Sequence, residues 1–206
     1  MKLSIHFFCV ALLFQMFLLS ASAHSQDISG RKSDIKDAIS KISSNDAVER
    51  ALSCNKALES DDPQLRSFAL EACLQSNDRR VRDSAFRYIV KPQNKINIDI
   101  EVTERDIPAM EDSEKSLHGR PERPKKIFNA RKLTLKIDKY NPKNDTFEGS
   151  SNLYNFEGSI GAGNLTFKFY NPYEGCVLTL INYNNGYLNG NFGCGGYSFA
   201  AKAHLP

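Results

Sequence analysis

The chain has 206 residues, with 27 basic and 24 acidic side chains, 41% hydrophobic and 25% charged residues, the profile of an ordinary globular protein. Twelve glycines and eight prolines are too few for a collagenous or low-complexity chain. A net charge of +3, with no face of gathered Lys and Arg, argues against nucleic acid as a partner.

At the start, Lys2 precedes an apolar run from Ile5 to Leu19 that ends in Ala21-Ser22-Ala23, the small-x-small pattern of a cleaved export signal. Residues 1–23 are therefore expected to be removed before His24, leaving a secreted or periplasmic protein. The run is shorter than the about 20 residues that cross a bilayer, and no later segment is apolar enough, so no transmembrane span is expected after cleavage. Cys9 leaves with the signal. Cys54, Cys73, Cys176 and Cys194 remain, in a compartment where disulfides persist.

Residues 24–92 read as a helical domain with only three aromatics, Phe68, Phe86 and Tyr88. Ser33-Asp34 followed by Ile35, Ala38, Ile39 and Ile42 suggests a first helix. Three units of sixteen follow: SNDAVERALSCNKALE (44–59), SDDPQLRSFALEACLQ (60–75) and SNDRRVRDSAFRYIVK (76–91). Each opens with residues whose side-chain oxygens cap free N–H groups of a first helical turn, and Arg50, Arg66 and Arg82 recur at the seventh place. Pro63 sits just inside its helix start, where a missing N–H does no harm. Residues 44–91 resemble HEAT-like helical repeats, with DDPQLRSFALEACL (61–74) the best match. That resemblance implies paired helices, stacked on a shared core and presenting a surface to other proteins; a plain bundle is the alternative. Mirrored across an antiparallel helix hairpin, Cys73 falls near Val48, about 9 Å along the axis from Cys54. Cys54 and Cys73 therefore read either as a bridge by elimination or as two buried thiols.

Residues 93–130 read as a charged linker with Pro108, Pro121 and Pro124 that contains one strand-like alternation, from Lys95 to Val102. Residues 131–206, rich in aromatics and glycine, alternate apolar and polar side chains with a period of two, the mark of strands with one buried face. Read as a three-residue loop, Asn184-Asn185-Gly186 sets Leu178 against Phe192, Leu180 against Gly190 and Cys176 against Cys194, within disulfide reach. A two-residue turn at Asn185-Gly186 would split the apolar set between faces. A Gly195-Gly196 turn puts Phe192 opposite Phe199 and Leu188 opposite Ala203, and the 171–175 loop puts Phe169 opposite Cys176. The fold class expected is α+β: a short N-terminal helical-repeat bundle followed by an antiparallel β-meander of six or seven strands, curled into a small barrel or a sandwich.

Candidate sites are few. The motif Phe-Glu-Gly-Ser occurs at 147–150 and 156–159. A hairpin turning at Ser151-Asn152 is expected to oppose Phe147 to Phe156 inside and Glu148 to Glu157 outside. Two carboxylates about 5 Å apart suit a retaining glycosidase or a shared calcium ion, and like charges placed opposite each other weaken a sheet. His24 as a free N-terminus could hold copper only with a second histidine, and neither His118 nor His204 is placed beside it. No nucleophile elbow, zinc-protease motif or phosphate loop is present, so no enzyme activity, cofactor or metal is expected. The remaining candidate is an outer Tyr and Asn face, with Tyr183 opposite Tyr187, Asn189 nearby, and Tyr170 and Tyr173 around another loop; rigid rings and amides suit flat contacts. The function expected is an exported, non-catalytic adaptor that binds another envelope or secreted protein. The alternative is a glycan- or cell-wall-binding protein, or an inhibitor of an envelope hydrolase.

Overall fold

The computed structural model describes residues 29–104, 106–108, 110–111, 131–152, 154–170, 175–194 and 197–205. The export signal, His24, His118 and Tyr173 lie outside them.

Four helices come first: α1 (29–42), α2 (Ala47–Leu58), α3 (Pro63–Gln75) and α4 (Arg79–Ile89). α1 is already helical at residue 29, so Ser33-Asp34 lies within it rather than at its start. The sixteen-residue period is a period of capping. Asp46, Asp62 and Asp78 are the three N-caps, all extended in φ and ψ, and each accepts from the N–H groups of the following turn. Two residues before each, Ser44, Ser60 and Ser76 accept the cap's own N–H through Oγ at 3.1–3.2 Å. Four residues after each, Arg50, Arg66 and Arg82 fold back and donate Nη1 to the carbonyls of those same serines at 2.6–2.8 Å. Each unit thus closes its own helix start and satisfies groups that a helix end leaves open.

Eight strands follow: β1 (Lys95–Ile100), β2 (Lys132–Asn141), β3 (Thr146–Ser151), β4 (Asn155–Gly161), β5 (Asn164–Phe169), β6 (Cys176–Asn184), β7 (Tyr187–Cys194) and β8 (Tyr197–His204). Each pairs antiparallel with the next, and β1 pairs with β8, so the sheet closes into a barrel rather than remaining an open meander or forming a sandwich. The closing strand, β1, comes from the segment read as linker. It pairs Ile96 and Ile98 with Leu135 and Leu133 on one side, and Ile98 and Ile100 with Ala203 and Ala201 on the other. The charged stretch therefore lies between β1 and β2, not between the helices and the barrel. Eight strands leave an interior that side chains can fill. Here Phe147, Phe156, Phe167, Phe169 and Phe192 run through it edge to face, with centroids 5.1–6.4 Å apart.

Several of the expected pairings hold, while the β6–β7 turn and the β3–β4 hairpin differ. Cys176 faces Cys194, Leu178 faces Phe192, Phe169 faces Cys176 and Phe192 faces Phe199. The β6–β7 turn, however, is the two-residue Asn185-Gly186, with φ of 53° and 83° as a type I′ turn requires. A bulge between Leu180 and Asn182 absorbs the extra residue and restores the apolar register farther along. Beyond it the alternation is inverted: Tyr183 pairs with Leu188 and turns toward the core, while Tyr187 pairs with Asn184 on the outer face. Tyr183 and Tyr187 are thus not opposed.

In the β3–β4 hairpin Glu148 does face Glu157, but Phe147 faces Gly158 and Gly149 faces Phe156. No single antiparallel register can hold both the Phe pair and the Glu pair. The glycines decide between them: a Cβ on Gly158 would lie 2.1 Å from Cζ of Phe147, and one on Gly149 2.5 Å from Cζ of Phe156. Each ring lies over the glycine of the other copy of the motif, and the two copies are related as a swapped pair.

Both cysteine pairs are disulfides, Cys54–Cys73 and Cys176–Cys194. The expected offset between Cys54 and Cys73 does not arise, because α2 and α3 do not run as an in-register hairpin: their Cα atoms at these positions are 6.1 Å apart, and α2, α3 and α4 all touch one another.

The helices cover the barrel end that carries the β2–β3, β4–β5 and β6–β7 turns. Residues 91–94 lead directly from α4 into β1, with Gln93 N–H donating to the Ile137 carbonyl at 2.8 Å. Arg87 grips Asp145 with two hydrogen bonds of 2.8–2.9 Å, the Tyr140 hydroxyl donates to the same carboxylate at 2.7 Å, and Gly163 N–H donates to Asp83 at 3.1 Å. The buried apolar side chains from Ile42 in α1 to Ala203 in β8 form one continuous cluster. At the opposite end Met110 is buried and its carbonyl accepts from the Tyr197 hydroxyl at 3.2 Å. Among the described residues no helix is long and apolar enough to cross a membrane.

Candidate functional site

The outer barrel face carries two concavities, and the expected Tyr and Asn site divides between them. One is a groove of about 490 Å³ across β2 to β5. The register lays Lys139, Glu148, Glu157 and Lys168 side by side across the four strands, a row of charges with the two carboxylates in the middle. Lys139 Nζ lies 3.7 Å from Glu148, whose side chain is 68% exposed. Tyr170 belongs here: the hydrogen bond from its hydroxyl to Glu157, followed by desolvation, raises its pKa. The two carboxylates stand on an open sheet face with a lysine at either flank, which is ion pairing of a solvated surface rather than a walled cleft. Among the described residues no group of three or more His, Cys, Asp and Glu converges on a common point.

The second concavity, of about 330 Å³, lies on the opposite side of the barrel, where β6, β7, β8 and β1 meet. It contains Tyr187 and Asn189, with Asn184 and Asn185 of the turn and His204 of the last strand, together with two residues that carried no expectation of a site, Asp99 and Lys202. The pairings build it directly, since Tyr187 faces His204, Asn189 faces Lys202, and Lys202 faces Asp99. His204 Nε2 lies 2.9 Å from Asp99 Oδ2, and the Tyr187 and His204 rings meet edge to face at 4.9 Å. Tyr183 is absent from this face because the β6 bulge turns it toward the helices, where burial and then the nearby Glu71 carboxylate raise its pKa.

The helix–barrel junction gathers several perturbed ionisable groups in one cluster. The Arg87 hydrogen bond is the main cause holding the Asp145 carboxyl below its ordinary value. Burial pushes Asp83 upward, and burial, followed by the Asp145 hydrogen bond, pushes Tyr140 to about 12. Every group in it has a protein partner, so the cluster reads as a latch. Neither Arg87 nor Asp145 carries a sequence signal for it, because they are 58 residues apart. Asp99 did carry one, the alternation from Lys95 to Val102 that makes β1 a strand.

On the helices, Val48 and Leu52 lie one turn apart on the solvent side of α2, 61% and 64% exposed, and Phe68 on α3 is 51% exposed. Compared with family models and with curated proteins, the chain matches none.

Proposed function

We propose that the protein is an exported, non-catalytic binding module that engages another protein of the secreted or periplasmic space through its helical face. The observation that carries this reading is the pair Val48 and Leu52, large aliphatic side chains at helical spacing that face solvent although the same helix buries Cys54, Ala57 and Leu58 on its other side. Exposed apolar side chains grouped on one helix face suit a protein partner, as does the resemblance of residues 44–91 to repeats that present helices to other proteins. Export is supported by the leader pattern at residues 1–23 and by two disulfides. Absence of catalysis is supported by the open, lysine-flanked setting of Glu148 and Glu157.

The docked helices and barrel favour a rigid adaptor over two modules on a mobile tether. A photo-crosslinking residue at position 52, introduced into the full chain in its native envelope, should capture a discrete protein, and Val48→Asp should abolish that adduct. Absence of any adduct from position 52, or an adduct indifferent to Val48→Asp, would refute the reading.

A further inference from the structure

From the geometry of the second concavity we infer a binding site for a neutral, polyhydroxylated glycan, formed where barrel closure brings Asp99, Asn184, Tyr187, Asn189 and His204 together. Its volume of about 330 Å³ lies at the lower end of small-molecule sites, roughly 300–1,000 Å³.

The charged groups around it are already engaged. Asp99 lies against His204 at 2.9 Å, and Lys202, on the rim, reaches Glu101 at 2.6 Å. The one lysine of the site is thus spent on a carboxylate, with the second carboxylate of Asp99 beside it, and this selects against phosphate or uronate. What remains is amide and ring. Asn189 spends its amino group on the carbonyls of Asn182 and Tyr187, at 3.3 and 3.2 Å, which leaves its oxygen as an acceptor. The side-chain amides of Asn184 and Asn185 have no hydrogen-bond partner among the described residues and offer both donors and acceptors. Asn185 is also required by its turn, since its φ is 53°, but the turn does not require Asn184, Tyr187 or Asn189.

Tyr187 supplies the apolar surface. Its ring is 37% exposed and braced at 85° against His204, itself held by Asp99, so little side-chain freedom remains to be lost on binding. A fixed aromatic ring beside unpaired amides matches a sugar, whose C–H surface packs on the ring while its hydroxyls bond the amides in either sense. This site is separate from the helical face of the proposed function, on other elements, so either can fail without the other.

The test is calorimetric titration of the mature protein with cellohexaose, xylohexaose, maltohexaose and chitohexaose, with polygalacturonate as the anionic probe. At least one neutral hexasaccharide should bind one to one. Tyr187→Ala should weaken it about tenfold and Asn184→Ala about threefold, each with an unchanged melting temperature. Tyr170→Ala, in the other groove, should leave binding within about twofold. Three results would overturn the site: no neutral hexasaccharide bound, binding of polygalacturonate in preference to all of them, or affinity indifferent to both Tyr187→Ala and Asn184→Ala. Capture of a protein by a photo-crosslinker at position 187 would also overturn it.

Discussion

The helical units and the barrel solve the same problem, satisfying backbone groups while burying apolar surface, at opposite ranges along the chain. Each helical unit is closed within seven residues by a serine, an aspartate and an arginine. The barrel is closed only when Asn97 finds His204 and Ile100 finds Ala201, about a hundred residues away. Local closure repeats in the sequence and can be read by eye; distant closure leaves no repeat, only a strand in an unexpected place. The two parts nevertheless share one buried cluster, and this sets how they should respond to perturbation.

The two disulfides probe that sharing most strongly. One lies in each part, and they span nearly equal separations, 19 and 18 residues, so loop-closure entropy predicts nearly equal losses of about 3 kcal/mol. Replacing Cys54 and Cys73, or Cys176 and Cys194, by alanine pairs should each lower urea stability by about that amount within a single transition. A separate early transition of the helices in the first variant would show that the cluster does not couple the parts.

The junction should come next. Asp145→Ala removes the shared acceptor of Arg87 and Tyr140 and should cost about 1–3 kcal/mol, with Arg87→Ala on top of it adding little. The pH dependence has a definite sign. Asp145 has a lower pKa folded than unfolded, so its contribution is complete above the ordinary carboxylate range and is lost as pH falls through the folded value. Asp83 has a higher pKa folded, so acidification through that value adds stability. Melts from pH 7 down to pH 2.5 should therefore show Asp145→Ala losing part of the acid dependence of the wild type, and Asp83→Asn stabilised near neutrality relative to its effect in acid.

The smallest effects should come from the caps. Asp46→Ala should cost about 1 kcal/mol. Asp62→Ala and Asp78→Ala should cost more, because Asp62 also accepts from Arg31 of α1 at 2.5 Å and Asp78 from Arg50 of α2 at 2.8 Å, each tie joining two helices. Equal losses at all three positions in chemical denaturation would show that these ties contribute nothing.

Residue patterns alone were enough for the three capped helices, the pairing of Cys176 with Cys194 and the strand register around Phe167, Phe169 and Phe192, because these depend on neighbours or on a hairpin whose turn lies close by. They failed where two local rules competed. At Asn184-Asn185-Gly186 the turn and the apolar register asked for different pairings, and only a bulge could satisfy both. In the Phe-Glu-Gly-Ser hairpin, the space over each glycine chose the pairing.

The candidate glycan site was half visible, as Tyr187 and Asn189. Its Asp99 and His204 lie 105 residues apart and become neighbours only across the seam of the barrel. Sequence determined how each segment caps, alternates and turns, because those preferences act over a few residues. Tertiary structure decided how the barrel closes, where the helices rest on it and which polar groups share a surface, because these follow from the meeting of distant segments that no local preference encodes.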